Sequence, residues 1–158
     1  MQNRDISIQI QRLESLIKRS TEATNENIEL QGDWAKYLCV LAAGFLENSI
    51  KQIYSEFASR TVTTPVANFV SSSLSPIRSP RAQRFLNVSA AFSVIWRGEL
   101  ENYLNDDGRG EAIDSIMRHR HLIAHGQYRN SNISMVRLKE YFAKAVEVME
   151  FIDAQCGR

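Results

Sequence analysis

Leu38-Cys39-Val40-Leu41-Ala42-Ala43-Gly44-Phe45-Leu46-Glu47-Asn48-Ser49-Ile50 is the stretch on which the fold turns. It lies inside a longer segment, from about Asn27 to Ser59. That segment carries Trp34, Leu38, Leu41 and Phe45, then Leu46, Ile50, Ile53 and Phe57, at helical spacing. Its middle is apolar on most sides, which predicts the central helix of a bundle rather than an amphipathic surface helix. The longest apolar run, Tyr37 to Leu46, is too short to cross a bilayer.

Working outward, Ile10, Leu13, Leu16 and Ile17 mark an amphipathic helix before it. After it, the only prolines, Pro65, Pro76 and Pro80, fall between Thr61 and Arg81 among many serines. This reads as a connector enclosing a short helix from about Pro65 to Ser73. Thr64-Pro65 and Ser79-Pro80 each pair a capping residue with proline at the first helical position. A further helix is predicted from Pro80 to Trp96, with Phe85, Val88, Ala91, Phe92 and Ile95 as its buried stripe. Gly98 is its candidate interruption, and Glu99 to Leu104 continue helically. Asn105 to Gly110 is a loop. The next helix starts near Glu111 and ends at Gly126, a natural residue for the position after a helix cap. Gln127 to Ser131 is a polar turn. The last helix, Asn132 to Gln155, places Leu138, Phe142, Ala145, Met149 and Ile152 on one side. No segment alternates with period two. The expectation is one all-α domain over residues 1–158, an antiparallel helical bundle of about five helices.

Composition narrows the class. Of 158 residues, 44% are hydrophobic and 23% charged, as in an ordinary folded protein. Met1 to Asp5 lack the apolar core of a signal peptide. Cys39 and Cys156 supply neither a disulfide framework nor a metal knuckle, so a reducing, cytoplasmic setting and no membrane are expected. The net charge of +1 hides an asymmetry. From Arg78 to Arg137 there are nine arginines and no lysine against six acids, an excess of three positive charges. That is weak for a nucleic-acid binder, and most of these arginines read as solvated or salt-bridged surface.

Chemistry concentrates in Met117-Arg118-His119-Arg120-His121-Leu122-Ile123-Ala124-His125-Gly126, which holds all three histidines of the chain. Histidine exchanges protons near neutral pH, and the arginine fork suits phosphate. On a helix, Arg118, His121, Leu122 and His125 share one stripe. Ile116, His119, Arg120 and Ile123 spread in other directions, and His119 is expected on the surface. His125 lies in the last turn, where the helix dipole favours a cation. Three readings stand. The first is a polar helix end. The second is a zinc site built on the i, i+4 pair His121 and His125. A third ligand is then needed from elsewhere, the zincin glutamate is missing and the flanking arginines repel the ion. The third is acid–base chemistry on an RNA phosphodiester. A histidine deprotonates the 2′-hydroxyl and an arginine stabilises the non-bridging oxygens, with no metal or other cofactor.

Arg120-His121-Leu122-Ile123-Ala124-His125-Gly126 resembles the Arg-x4-His signature of HEPN domains, whose commonest version has Asn where His121 stands. The longer Arg-x6-His spacing is met by Arg118. Helical order and chain length agree with that family, and Leu38 to Ile50 is similar to the long second helix of its RiboL-PSP-HEPN branch. The resemblance implies a metal-independent endoribonuclease acting as a homodimer, with two motif helices forming one composite cleft. His125 would be the general base or acid, Arg120 or Arg118 the transition-state cation, and His121 the polar residue orienting the pair. The products would be a 2′,3′-cyclic phosphate and a 5′-hydroxyl. A toxin, anti-phage or stress-defence setting is implied, with RNA as substrate and an antitoxin or regulatory protein as a further partner. Toxins of the family that are silenced by a nucleotidyltransferase carry Tyr two residues after the histidine. Here that position is Gln127, and Tyr128 follows. Tyr128 and Arg129 are candidate RNA contacts, Tyr128 by stacking on a base or else as an ordinary packed ring. Glu47 has two readings: reaching and fixing Arg118 or Arg120, or pairing locally with Lys51. The alternative function is a non-catalytic HEPN-like module that binds RNA or a protein partner.

Overall fold

A computed structural model describes residues 1–158. Seven α-helices follow one another without a strand: α1 (Arg4–Ala23), α2 (Ile28–Thr61), α3 (Thr64–Leu74), α4 (Ala82–Phe92), α5 (Val94–Asn105), α6 (Arg109–Ala124) and α7 (Met135–Cys156). A single 3-10 turn, Tyr128–Asn130, links α6 to α7. The all-α expectation holds, whereas the count of about five does not.

α2 is the axis. Its side chains are buried around much of the circumference, with Leu46, Ile50 and Tyr54 fully enclosed. Between its exposed first and last turns, exposure narrows to a line through Asp33, Tyr37, Gly44 and Asn48. α1, α3, α6 and α7 all pack on it. Polar ties give the directions. Asn3, at the start of α1, donates to Glu56 near the end of α2 (2.6 Å), and its backbone N–H donates to Asp153 near the end of α7. So α1 runs opposite to both, and α2 and α7 run parallel. Arg109, opening α6, donates to Glu147 of α7 (2.7 Å), which sets α6 antiparallel to α7 and hence to α2.

Two breaks differ from expectation. The helix predicted from Pro80 to Trp96 is cut at Ser93, not at Gly98. Ser93 is extended (φ −159°) and its hydroxyl accepts from the Trp96 N–H, so it caps a new helix. Gly98 lies inside α5. The cut lets Phe92 stack on Tyr54 (4.6 Å) and lets Trp96 meet Phe57 edge-on (5.2 Å). Packing three half-buried rings around buried Tyr54 outweighs the loss of one helical continuation. At the other break, Ser79-Pro80 does not open a helix. Ser79 is left-handed (φ 42°), and α4 starts at Ala82, whose N–H donates to Asp114 of α6 (2.9 Å). Likewise Thr63, not Thr64, caps α3, which puts Pro65 at the second helical position.

Glu47 explains the Ser79 turn. Its carboxylate accepts from the Ser79 N–H (2.8 Å) and from Lys51 (3.1 Å), with Arg78 at 3.7 Å. It reaches neither Arg118 nor Arg120, so the local pairing with Lys51 is the correct reading. Partial burial pushes its carboxyl upward, but Ser79, Lys51 and Arg78 together outweigh this and hold it below the usual range.

Leu46→Ala should cost about 2–5 kcal/mol in urea unfolding, because a fully enclosed side chain leaves a cavity in the axis. Asn48→Ala, two residues on and exposed, should stay within about 0.5 kcal/mol.

Candidate active site

The site is built on the C-terminal half of α6. One stripe of this helix, Ala112, Ile116 and His119 with half-buried Ile123, is sunk towards the core. Cys39 of α2 donates its S–H to the Ile116 carbonyl (3.5 Å), so the two helices meet closely there. Burial pushes the Cys39 thiol up to about 12, which leaves it inert as a nucleophile.

His119 is therefore not a surface residue. It is only 5% exposed, and its Nδ1 lies 2.9 Å from the Ser131 hydroxyl. Desolvation, then the charge of Arg118, holds its imidazole below the usual range. A neutral ring here ties the chain after α6 back onto the helix. The spacing Ile116, His119, Ile123 carried that signal, since i, i+3, i+7 is the pattern of a buried stripe.

The opposite face is open. His121 and His125 are both exposed, and their rings meet at 4.3 Å between centroids, tilted by 41°. α6 stays regular to its end, with the His125 N–H donating to the His121 carbonyl (3.1 Å). Gly126 then turns left-handed (φ 75°), and the Gln127 N–H caps the Leu122 carbonyl (2.9 Å). On this regular helix Arg118 lies about 20° around the axis from His125, whereas Arg120 lies about 140° away. Arg118 is exposed and lines a polar recess of ≈ 670 Å³ with Arg81, Glu101, Glu111 and Asp114. Arg120 is half-buried. Neither they nor exposed Arg129 enters an ion pair. Arg109, eleven positions before Arg120, is by contrast fully engaged with Glu147 and Asp106 and is a structural residue. No group of three or more His, Cys, Asp or Glu side chains converges, so the zinc reading has two ligands and no third.

A family model described as RiboL-PSP-HEPN matches residues 4–158. The chain belongs to this family. No curated protein and no solved structure matches it. The stretch from Arg118 to Gly126 closes α6, ahead of the last long helix.

Two partners of Tyr128, just beyond this stretch, were invisible in the chain order. Tyr128 donates its hydroxyl to Asp33 of α2, and the Lys36 ammonium lies 3.8 Å over its ring. The bond to Asp33, more than burial, pushes the Tyr128 hydroxyl upward. Asp33 and Tyr128 are 95 positions apart, and nothing local in either segment marks the pairing.

Because the folded-state imidazole of His119 titrates below its unfolded value, its contribution is complete above about pH 6.5. That contribution is lost as the pH falls, since the unfolded chain takes up the proton first. Wild type should lose more stability between pH 7 and pH 5 than His119→Asn does, by thermal or urea unfolding.

Proposed function

We propose that this protein is a metal-independent endoribonuclease of HEPN type. The observation that carries the reading is the exposed His121–His125 pair, its rings 4.3 Å apart on the stripe that also holds Arg118. Imidazoles serve as proton acceptor when neutral and as proton donor when protonated, so the chemistry needs no carboxylate. His125, last on the helix and beside Gly126, takes the proton of the RNA 2′-hydroxyl. The 2′-oxygen bonds to phosphorus, the bond to the 5′-oxygen breaks, and that oxygen leaves with a proton from a protonated imidazole. The products are a 2′,3′-cyclic phosphate and a 5′-hydroxyl. An arginine faces the non-bridging oxygens, where charge develops.

The base and the acid of such a displacement stand on opposite sides of the phosphorus, while one α6 end offers a single face. A second copy placing its own α6 end across the RNA supplies the other side, so we infer a homodimer with a shared cleft. In that arrangement Arg118 serves its own histidine pair, because they share a stripe. Arg120, turned away from His125 in its own chain, serves only across the pair. Arg129 and Tyr128, at the mouth of the same end, contact the RNA. Unrestrained cleavage of cellular RNA fits a toxin or defence role held in check by an antitoxin or regulatory protein.

Purified protein should cleave labelled single-stranded RNA in EDTA and leave cyclic phosphate. His125→Ala should lower the rate by about 10²-fold or more. Arg118→Ala should cost more than Arg120→Ala if the arginine acts within its own chain, and the reverse order assigns it to the partner copy. Binding without cleavage in the wild type would make the chain a non-catalytic RNA-binding module. A monomer at micromolar concentration by sedimentation would remove the shared cleft.

A further inference from the structure

The early turns of α2 hold aromatic rings that acid–base chemistry leaves unused. Trp34 and Tyr37 meet edge-to-face, with centroids 5.6 Å and planes 78° apart. Tyr37 is 53% exposed, and Leu30 on the same side of α2 is exposed with it. With Leu30 and Asp33, the two rings line an open recess of ≈ 190 Å³. That is below the roughly 300–1,000 Å³ of sites that enclose a cofactor or other small molecule. Two rings set nearly at right angles leave a notch that suits one planar ring, stacked on the first and edge-on to the second.

The notch is tied to the segment that follows the histidine pair. Asp33 is both a wall of the recess and the acceptor of the Tyr128 hydroxyl, and Tyr128 is three residues beyond His125. Lys36 covers Tyr128 at 3.8 Å, and Arg129 stands exposed beside it without an acidic partner. The Asp33 carboxylate in the recess wall is engaged by the Tyr128 hydroxyl, and the two cations stand at Tyr128, next to that wall. Aromatic faces beside unpaired cations match a single-stranded nucleic acid, whose bases stack while its phosphates follow the charges.

We infer that Trp34 and Tyr37 form a stacking ledge for one unpaired base of single-stranded RNA, with Lys36 and Arg129 on the adjoining phosphates. The ledge is a substrate-selecting surface for the site at His125, and in that respect it rests on the ribonuclease reading. Its binding of RNA does not. A duplex has both faces of each base covered by its neighbours and cannot use the notch.

Trp34 and Trp96 are the two tryptophans of the chain, so Trp96→Phe leaves Trp34 as the sole reporter. This variant is titrated with a single-stranded 2′-O-methyl oligonucleotide, which cannot be cleaved. Trp34 fluorescence should be quenched on binding. Tyr37→Ala should weaken that binding about tenfold, and Tyr37→Phe should restore it. On cleavable RNA, Tyr37→Ala should raise KM about tenfold with a smaller change in kcat. Quenching that persists in His125→Ala, or in a protein that cleaves nothing, upholds the ledge while the ribonuclease reading stands or falls alone. Cleavage with unquenched Trp34 and an unchanged KM in Tyr37→Ala overturns the ledge and leaves the ribonuclease reading intact. Equal quenching by a duplex of the same sequence also overturns it. Dissociation of the dimer in Tyr37→Ala with unaltered RNA affinity overturns it too, by assigning the rings to contact between copies.

Discussion

Everything at the candidate site depends on one face of α6 being sunk between α2 and α7. Ile113 and Ile116 are fully enclosed, Cys39 donates to the Ile116 carbonyl, and His119 extends the buried stripe by another turn. A helix held along one side has no rotational freedom. The residues opposite that stripe, Arg118, His121 and His125, are therefore presented outward together. Arg109 secures the start of the helix through Glu147, and Asp114 spends its carboxylate on the first N–H of α4. The site is exposed, but its footing is rigid, which is the arrangement that positions reacting groups without reorganisation.

The chain beyond the helix is held by three separate ties. Gly126 takes the left-handed turn that ends α6, the buried His119 imidazole meets Ser131, and Tyr128 bonds to Asp33. Each acts on a different residue of a short polar segment, so a stretch with the composition of a loose loop is anchored at both ends. One histidine of the motif thus does structural work and two do not. The same division separates the arginines. Arg109 is consumed by carboxylates, whereas Arg118, Arg120 and Arg129 keep their donors free, and free donors are what phosphate binding requires.

Much of this was legible in the chain. The all-round apolar pattern of Leu38 to Ile50 marked the axis, and Gly126 marked the end of the motif helix. What misled was local reasoning about polar residues. Glu47 in an apolar helix left two readings open, a partner in the motif or Lys51 one turn on. Its actual partners are Lys51 one turn away and the Ser79 amide, because the connector folds back over α2. Ser93 looked like an ordinary helix residue. It breaks the helix because the break lets Phe92 and Trp96 join Tyr54 and Phe57 in one aromatic cluster. Ser79-Pro80 had the form of a helix start, but the left-handed turn at Ser79 displaces that start to Ala82.

By itself, the sequence determined the helical class, the central place of α2, and the grouping of Arg118, His121 and His125 on one stripe. These follow from the 3.6-residue period, which is a property of the local chain. Only the tertiary structure decided that His119 meets Ser131, that Glu47 serves the connector, and that Tyr128 stands with Asp33 and Lys36 of α2. Those outcomes depend on which side of each helix meets a neighbour and on groups as far as 95 positions apart. No periodicity encodes such meetings, because they are set by how the helices pack.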